Sequence, residues 1–394
     1  MNQVSTLVSH DSPLRILTVA NVPPDPNSGA AGTVYATNVA LRELGHEVDE
    51  IWANQLGPRR IAHGNLHSLL EQPRAYRREV AQAIAKRDYD VVMISQPQAY
   101  LAAKFLKGTG FGGVVINRSH GLELRVDHVL PEWHQKLNVP ESRRPWLSRL
   151  LRPLLNRQWT QTVRWFDGIV LPSHDDREFL EARFKLLPRQ AVTIHHGIPD
   201  AFLNTFPQPM TKERQTKLLY IGQYAFIKGP DILIGALNQS LARDPQLSMT
   251  WVTAESVHRE IRDRLDENVR DRVRFAPWVA QRDLLPLLDS HGIFLFPSLF
   301  EGAGKACAEA LARGLYVVAS DTGGMRDHLR QCDPRGLCPV GDVNAFATAI
   351  DRFTSSELNP EELNDRVAKV QGLTWKNCAM QLEHYFIERS QRRN

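Results

Sequence analysis

Short apolar stretches rich in β-branched residues alternate along this chain with longer segments of helical period, and this alternation limits the fold more than any other feature. It is typical of parallel α/β architecture, in which a helix returns the chain across the sheet after each strand. The strands predicted in the first half are residues 14–20, 47–52, 91–95, 114–118 and 168–172. The same order restarts in the second half at residues 217–221, 249–253, 273–275, 293–297 and 316–320. The sequence therefore predicts two α/β units.

A polar, proline-containing stretch between the two sets of strands is predicted to be a hinge. It comprises residues 197–200 and the weakly periodic residues 204–216, and His195 and His196 just before it are expected to serve the hinge. The chain of 394 residues is long enough for each half to bury its own core. We therefore expect one domain at residues 1–196 and a second at residues 197–374, followed by an amphipathic C-terminal helix.

Composition limits the compartment and the partners. Hydrophobic residues make up 42% of the chain and charged residues 23%, and no uninterrupted apolar run reaches the roughly 18 residues of a membrane helix. The polar residues 1–12 do not resemble a secretory signal, so a cytoplasmic protein is expected. The net charge of +4 gives no reason to invoke nucleic acid. Four cysteines without a CxxC pair suggest neither a zinc site nor a disulfide framework.

The most informative segment is a predicted strand that ends in a glycine-flanked turn, with a helix predicted to begin near Lys305. Gly302 and Gly304 let the backbone approach a ligand closely, and the start of a helix offers free N–H groups. Glu301 and Glu309 stand eight positions apart. This spacing suits two carboxylates that accept hydrogen bonds from hydroxyls at opposite ends of one elongated ligand. Taken alone, the segment also fits a capped helix with a surface acid.

In its setting this segment closely resembles the E-x7-E signature of glycosyltransferase family 4, which follows a "PS..EG.G" turn. The resemblance covers nearly the whole chain, with further matches at residues 44–48, 167–173, 196–197, 273–275, 287–298, 319–324, 336–346 and 375–385. It implies a GT-B fold, in which two Rossmann-like domains with parallel sheets face each other. It also implies an acceptor-side domain at residues 1–196, a nucleotide-sugar-binding domain at 197–374, and a C-terminal helix at 375–394 that returns to the first domain.

The resemblance assigns roles to the matching positions. Glu301 is implied to contact the donor sugar as a catalytic residue, and Glu309 is implied to hold the ribose hydroxyls. Carboxylates suit both roles because vicinal hydroxyls are paired hydrogen-bond donors. The backbone of the turn is implied to line the sugar. The donor-binding positions expected in this part of the chain also include Trp278, Val279, Gly302, Ala303, Gly304 and Lys305.

A second segment, residues 220–230, follows a predicted strand and therefore lies at the sheet edge where α/β proteins bind ligands. It resembles the family's G-R-x4-K-G diphosphate clamp, and Lys228 stands at the lysine, where a cation would neutralise charge on the departing diphosphate. Gln223 stands where the family has arginine, so a charged contact to phosphate is missing. Lys305 is expected to supply the positive charge that the missing arginine would have brought to the phosphate. The alternative for both Lys228 and Lys305 is an ordinary solvated lysine at the surface.

In the first half, His120 follows a predicted strand and resembles the histidine that lines the reaction centre in many family members. Imidazole can hydrogen-bond a sugar or polarise a hydroxyl near neutral pH, and the alternative is a histidine bonded to a loop carbonyl. The turn at residues 28–33 resembles the family's glycine-rich first loop, so Gly29 and Gly32 are implied to lie near the donor. The turn is not GxGxxG, and a dinucleotide site is therefore not expected.

Two other features are weighed against ordinary structural explanations. Residues 143–164 interleave arginine with leucine and tryptophan, which fits either contact with an anionic membrane surface or a domain helix with solvated arginines. His63 and His67 have the spacing of metal ligands. Gly64 and Asn65 are expected to interrupt a helix between them, so no metal site is predicted.

Together these features predict a retaining glycosyltransferase that moves a sugar from a nucleotide diphosphate sugar to an acceptor hydroxyl without a metal cofactor. The acceptor is expected to be a glycan or a lipid-linked molecule of cell-surface glycan synthesis. Residues 143–164 are a candidate for peripheral contact with the anionic inner membrane face, with a domain helix that carries solvated arginines as the alternative, and nucleic acid is not an expected partner. The alternatives are a catalytically silent protein that binds nucleotide sugar or glycan, and a phosphorylase or nucleotide-sugar epimerase of the same fold.

Overall fold

A computed structural model describes residues 12–26, 29–141, 145–280 and 283–392 of the chain. The described residues form two six-stranded sheets, and the strands pair in parallel throughout both. Helices connect successive strands and pack on both faces of each sheet, because a parallel sheet needs both faces covered. The predicted α/β architecture with two parallel sheets is confirmed.

The first sheet has the strand order β2-β1-β3-β4-β5-β6. Its strands are β1 (Arg15–Val19), β2 (Glu47–Ile51), β3 (Val91–Ser95), β4 (Val114–Arg118), β5 (Gly168–Leu171) and β6 (Ala191–Thr193). The helices that accompany them are α1 (Gly29–Glu43), α2 (Ala53–Leu56), α3 (Gly64–Leu66), α4 (Gln72–Ile84), α5 (Tyr100–Gly108), α6 (Glu123–Lys136), α7 (Pro145–Trp165) and α8 (His174–Arg183).

The second sheet has the order β12-β11-β10-β7-β8-β9. Its strands are β7 (Lys217–Ile221), β8 (Ser248–Val252), β9 (Val273–Ala276), β10 (Ile293–Phe296), β11 (Tyr316–Ser320) and β12 (Leu337–Cys338). The remaining helices are α9 (Asp200–Leu203), α10 (Lys212–Gln215), α11 (Pro230–Arg243), α12 (His258–Asp263), α13 (Leu284–Asp289), α14 (Lys305–Ala312), α15 (Gly323–Cys332), α16 (Val343–Ser355), α17 (Pro360–Val370) and α18 (Trp375–Gln391).

Each strand predicted from the sequence is present, with ends within one residue of the prediction. The edge strands β6 and β12 are not predicted by the sequence. They are three and two residues long and only partly buried, so they lack the apolar run that identifies a buried strand. Their pairing depends on the neighbouring strands β5 and β11 rather than on their own residues.

The expectation that Gly64 and Asn65 interrupt a helix is wrong. Helix α3 includes both residues and continues into a π-helix at His67–Glu71. Glu71 stabilises this segment, because its carboxylate accepts the backbone N–H of Arg60 at 2.9 Å and lies 2.6 Å from Nδ1 of His67. These contacts offset the roughly 1 kcal/mol by which glycine disfavours a helix.

The C-terminal helix α18 packs on the first sheet rather than on the second. Its residues Cys378, Leu382 and Phe386 are buried in the core that also contains Ile16 and Ile116. The Tyr385 hydroxyl donates a hydrogen bond to the backbone oxygen of Gln190 at 2.6 Å. The helix thus ties the end of the chain to its first half, as the family resemblance implies.

The two halves of the chain also contact each other through a network of charged side chains. Asp175 of α8 accepts hydrogen bonds from the backbone N–H of Gly323 and from Arg326 of α15, both at 2.8 Å. Arg125 of α6 contacts Asp175 and Thr322. These contacts hold the carboxyl edges of the two sheets opposite each other.

Candidate functional site

A cavity of about 400 Å³ lies between the two sheets, at the carboxyl ends of their strands. From the first half of the chain it is lined by Gly29, Ala30, Thr33, His120 and His196. From the second half it is lined by Ile221, Trp278, Val279, Leu284, Glu301, Ala303, Lys305, Ala306 and Glu309. Ligands of open α/β sheets bind at this edge, so the cavity is the candidate active site.

The turn between β10 and α14 brings the backbones of the two halves into close contact. A Cβ on Gly302 would lie 2.6 Å from the backbone oxygen of His120 and 2.7 Å from Cα of Gly121. Gly304 has φ +63°, and a Cβ there would lie 2.7 Å from the backbone nitrogen of Met325. Glycine is therefore required at both positions for the turn to lie in the cleft.

Glu301 and Lys228 form an ion pair at the wall of the cavity. Nζ of Lys228 lies 2.8 Å from Oε2 of Glu301, and the two side chains are only 26% and 17% exposed. Lys228 ends the short 3₁₀ turn after β7, and its ammonium lies 5.6 Å from the centroid of the Phe296 ring. The residues that the family resemblance links to sugar and diphosphate thus contact each other directly.

Lys305 and Glu309 form a second pair one helical turn apart. Nζ of Lys305 lies 3.6 Å from Oε1 of Glu309, and both side chains line the cavity. Helix α14 begins at Lys305, as predicted, and Glu309 is 6% exposed. The first two turns of this helix therefore place one cation and one carboxylate against the same cavity.

His120 and His196 lie together at the first-half wall of the cavity, with ring centroids 5.6 Å apart. Burial and the charge of Arg118 lower the pKa of His120 to about 3. Burial and the same arginine hold the pKa of His196 well below its usual value. Both imidazoles are therefore neutral near pH 7. Nε2 of His120 lies 3.4 Å from the Ser95 hydroxyl, so this ring bonds a side chain rather than the expected alternative of a loop carbonyl.

Some of the predicted site residues lie outside the cavity lining. The positions that do not line it are Gly32, Gln223, Lys228, Gly302 and Gly304. Lys228 is linked to the lining through Glu301, whereas Gln223 is exposed to solvent. A Cβ on Gly32 would lie 2.5 Å from the backbone oxygen of Pro26, so this glycine allows α1 to pack against the preceding loop.

The sequence did not identify His196 as a site residue. It follows β6, and the chain crosses to the second half directly after it, with Ile198 bridged to Thr374. The sequence signal for such a site residue would be a histidine that stands just after the end of a strand and just before the chain passes to the second half. The short strand β6 is not predicted from the sequence, so this signal is not visible there.

Among the described residues, the side chains of His174, His195 and Asp327 are close enough together to hold a metal ion. Asp327 links the two halves, because it accepts a hydrogen bond from the backbone N–H of His174 at 2.8 Å. Nδ1 of His195 lies 3.0 Å from the backbone oxygen of Pro172 within the first half, and 3.9 Å from the Asp327 carboxylate of the second half. We therefore assign this cluster to the contact between the halves, near the hinge where His195 was expected.

Family models match both halves of the chain. The model for Glycosyltransferase Family 4 matches residues 27–202, and the model for Glycosyl transferases group 1 matches residues 215–356. The chain belongs to the family 4-like glycosyltransferases. The boundary between the two matches falls in the segment that connects the two sheets.

Curated relatives agree with this membership. The phosphatidyl-myo-inositol mannosyltransferase of Mycolicibacterium smegmatis is 26% identical over 70% of this glycosyltransferase and 65% of its own length. The D-inositol 3-phosphate glycosyltransferase of Streptomyces griseus is 24% identical over 56% of the chain and 53% of its own length. The match thus spans about half to two thirds of the length of these relatives.

Solved structures with the same fold extend over nearly the full chain. Sucrose-phosphate synthase from Thermosynechococcus elongatus has a TM-score of 0.71 at 19% identity, covering 95% of this chain and 98% of its own. The catalytic domain of starch synthase IV from Arabidopsis thaliana, bound to ADP and acarbose, has a TM-score of 0.66 at 14% identity, covering 97% and 100%. At this identity the likeness establishes the GT-B fold.

Proposed function

We propose that this glycosyltransferase moves a sugar from a nucleotide diphosphate sugar to an acceptor hydroxyl, with retention of the anomeric configuration and without a metal cofactor. The observation that carries the proposal is the placement of two lysine–glutamate pairs, Lys228–Glu301 and Lys305–Glu309, around one cavity between the sheets. A nucleotide sugar offers groups that both members of each pair can bind. Its diphosphate can form ion pairs with the lysines, and its hydroxyls can donate hydrogen bonds to the glutamates.

In the proposed complex, Glu309 accepts the ribose hydroxyls and Lys228 and Lys305 contact the diphosphate. Glu301 contacts the sugar, and neutral His120 hydrogen-bonds the sugar or the acceptor hydroxyl. The acceptor oxygen attacks the anomeric carbon from the face that the diphosphate leaves, and a phosphate oxygen takes the acceptor proton. Catalysis is then mainly positioning and stabilisation of the leaving diphosphate.

The names of the relatives support a role in cell-surface glycan or glycolipid synthesis. They include glycosyltransferases of phosphatidylinositol, of D-inositol 3-phosphate and of the lipopolysaccharide core. These proteins attach sugars to inositol-bearing molecules or to lipopolysaccharide. We propose a lipid-linked or glycan acceptor for this chain as well.

A thermal-shift screen with UDP-, GDP-, ADP- and TDP-sugars tests the donor. Binding to the folded state raises the melting temperature by mass action, so the true donor should produce the largest shift. Transfer, or slow hydrolysis of that donor, should follow. If no nucleotide sugar shifts the melting temperature and none is consumed, the proposed donor chemistry is wrong. A shift without hydrolysis or transfer would identify a catalytically silent binding protein. Release of free phosphate, or donor interconversion without an acceptor, would instead identify a phosphorylase or an epimerase.

Glu309→Ala is expected to weaken donor binding about 10- to 100-fold and to change the turnover number at saturating donor by less than about threefold. A hydrogen bond to a charged group contributes about 1.5–3 kcal/mol, and ribose contacts are made equally in the ground and transition states. Steady-state kinetics with varied donor measure both parameters. Glu361→Ala, on the exposed first turn of α17, is the matched control. A turnover number that falls while the donor KM stays constant would contradict this role.

A second proposal is that helix α7 contacts an anionic membrane surface. Trp146, Leu150 and Leu154 of this helix are 66%, 65% and 49% exposed, which leaves a row of large apolar side chains in contact with solvent. Arg152, Arg157 and Arg164 belong to the same helix. Residues 143 and 144 and the side chain of residue 149 lie outside the described part of the chain. Within the described residues, no helix is both long and apolar enough to cross a bilayer.

The protein is expected to float with vesicles that contain anionic phospholipid at low salt, and much less with neutral vesicles. Trp146→Ser combined with Leu150→Ser should abolish this binding, because apolar insertion and electrostatic attraction act together. Leu187→Ser is the matched control, since Leu187 is 63% exposed and lies outside α7. Equal flotation with anionic and neutral vesicles would rule out the membrane contact.

A further inference from the structure

Two histidines and an aspartate from the two halves of the chain lie close together outside the candidate active site. His174 begins α8 and His195 follows β6, both in the first half, while Asp327 lies in α15 of the second half. Each residue offers one nitrogen or oxygen atom, and these three atoms lie within 4.8 Å of one another. None of the three residues lines the cavity between the sheets. The cluster is therefore separate from the proposed donor site.

The spacing within this cluster is close to that of a metal site. Nδ1 of His174 lies 3.2 Å from Oδ2 of Asp327, and Nδ1 of His195 lies 3.9 Å from the same oxygen. The ligand atoms of tetrahedral zinc, bound at about 2.0–2.2 Å from the ion, lie roughly 3.3 Å apart. Small side-chain rotations would therefore bring both histidines and the carboxylate to zinc-binding distance, with water as the fourth ligand.

An ion can reach the cluster from solvent and find neutral imidazole there. The side chains of His174 and His195 are 44% and 22% exposed, whereas that of Asp327 is 6% exposed. Metal ligation requires a neutral ring, and burial lowers the pKa of His195. Nδ1 of His195 contacts the backbone oxygen of Pro172 at 3.0 Å. Coordination through this nitrogen replaces that one hydrogen bond and moves the ring proton to Nε2.

The charges around the cluster are compatible with a bound cation. Among the described residues, the ion pairs of Asp327 are with histidines, not with lysine or arginine. Arg326 is the neighbouring cation, and it contacts the carboxylates of Asp175 at 2.8 Å and of Asp321 at 2.7 Å, which balance its charge. His328 follows Asp327 and is neutral near pH 7, because burial lowers its pKa to about 4. The Asp327 carboxylate can therefore attract a divalent cation.

We propose that His174, His195 and Asp327 bind a Zn²⁺ ion that links the two halves of the chain and restrains their separation. Imidazole and carboxylate are ligands that zinc takes in tetrahedral sites, whereas Mg²⁺ prefers oxygen ligands alone. Two of the ligands belong to the first half and one belongs to the second. The ion is therefore bound by all three only while the halves are in contact, so its binding stabilises that contact.

The cluster adjoins the candidate active site through residues of both halves. His196, which lines the cavity between the sheets, directly follows His195. Nε2 of His328 lies 3.1 Å from the backbone oxygen of Ala303, which lines the same cavity. A nucleoside diphosphate leaves the cleft as the halves separate, so bound zinc is expected to slow turnover. This consequence rests on the proposed glycosyl transfer, whereas zinc binding itself does not.

Zinc binding is tested on the full chain after treatment with a chelator. Zn²⁺ should raise the melting temperature, because it binds the folded state, and Mg²⁺ should not. Co²⁺, used as a probe in place of zinc, should give the strong visible absorption of a tetrahedral site. His174→Asn and Asp327→Asn should each weaken Zn²⁺ binding by at least the roughly 10- to 100-fold that loss of an outer-shell partner costs.

The variants are chosen so that the contact between the halves survives. Asparagine at position 327 keeps an oxygen that can accept the backbone N–H of His174. His174 is itself partly exposed, so its replacement tests the site even if the other variant folds poorly. His67→Asn is the matched control, because His67 also contacts a carboxylate, that of Glu71 at 2.6 Å, but lies outside the cluster. The melting temperature of each variant without metal checks its folding.

The link between the halves is tested by two further measurements. Zn²⁺ should slow backbone hydrogen exchange in α8 and α15, which carry His174 and Asp327. It should also lower the turnover number of the unaltered enzyme with the donor found in the thermal-shift screen. His174→Asn should show neither effect, which excludes inhibition by zinc bound at the histidines of the cavity.

The outcomes separate this inference from the proposed function. If Zn²⁺ leaves the melting temperature unchanged, or if both variants bind it as tightly as the unaltered chain, the zinc site is wrong. If zinc binds at the cluster but changes neither hydrogen exchange nor turnover, the proposed restraint on separation is wrong. If no donor is turned over, the proposed function fails, whereas the binding and exchange measurements still decide the zinc site.

Discussion

Glu301→Ala is expected to lower the turnover number by about 10²- to 10³-fold, the range seen when one preorganised electrostatic contact to the reacting centre is removed. The proposed role of Glu301 is to contact the donor sugar, where positive charge develops as the diphosphate leaves. The donor KM should change much less, because this contact strengthens only in the transition state. Steady-state kinetics at saturating donor and acceptor measure the effect.

The ion pair with Lys228 requires a second variant. Removal of Glu301 also leaves Nζ of Lys228 without the carboxylate that lies 2.8 Å away. Glu301→Gln keeps the shape and one acceptor oxygen but removes the charge, so it separates electrostatic stabilisation from packing. Both variants should lose turnover if the charge matters. A Glu301→Ala enzyme that binds donor poorly but turns over normally would reverse the roles proposed for Glu301 and Glu309.

Lys305→Met and Lys228→Met are each expected to weaken nucleoside diphosphate binding about 10- to 100-fold and to lower turnover as well. A charge-assisted hydrogen bond contributes about 1.5–3 kcal/mol, and the charge on the leaving diphosphate grows as the reaction proceeds. Lys305 lines the cavity, whereas Gln223 is exposed and lies outside the lining. We therefore propose Lys305 as the cation that takes the place of the family's arginine.

Isothermal titration with the nucleoside diphosphate of the true donor measures this loss, and single-turnover kinetics measure the chemical step. Methionine keeps the length of lysine and removes the charge. Lys376→Met is the matched control, because Lys376 is an exposed lysine of α18 that does not line the cavity. Unchanged affinity in Lys305→Met would reject the shared clamp and leave Lys228 and backbone N–H groups as the phosphate ligands.

The sequence predicted the secondary structure well where burial is continuous. Strands such as β3 and β4 are predicted to the residue, because their apolar, β-branched runs record burial on both faces. The strands β6 and β12 are invisible in the sequence because they lie at sheet edges and their residues are only partly buried. The helix at residues 64–66 is missed because contacts of Glu71 outweigh the local effect of Gly64.

The candidate site could be predicted where a motif places a charged residue at a strand end. Glu301, Lys305 and Glu309 are predicted by the turn after a buried strand, and all three line the cavity. The sequence assigns His196 to the hinge and not to the site. Its surroundings depend on segments distant in sequence, such as Arg118, whose charge helps to lower the pKa of His196.

The sequence by itself determined the order of strands and helices and the residues that stand at the strand ends, because hydrophobic periodicity and glycine turns are local properties of the chain. The tertiary structure decided which of those residues meet. Lys228 and Glu301 are 73 positions apart and pair only because β7 and β10 are neighbours in the second sheet. His120 and Gly302 approach each other only because the two sheets face across the cleft. Such contacts follow from the packing of distant segments, which no local pattern records.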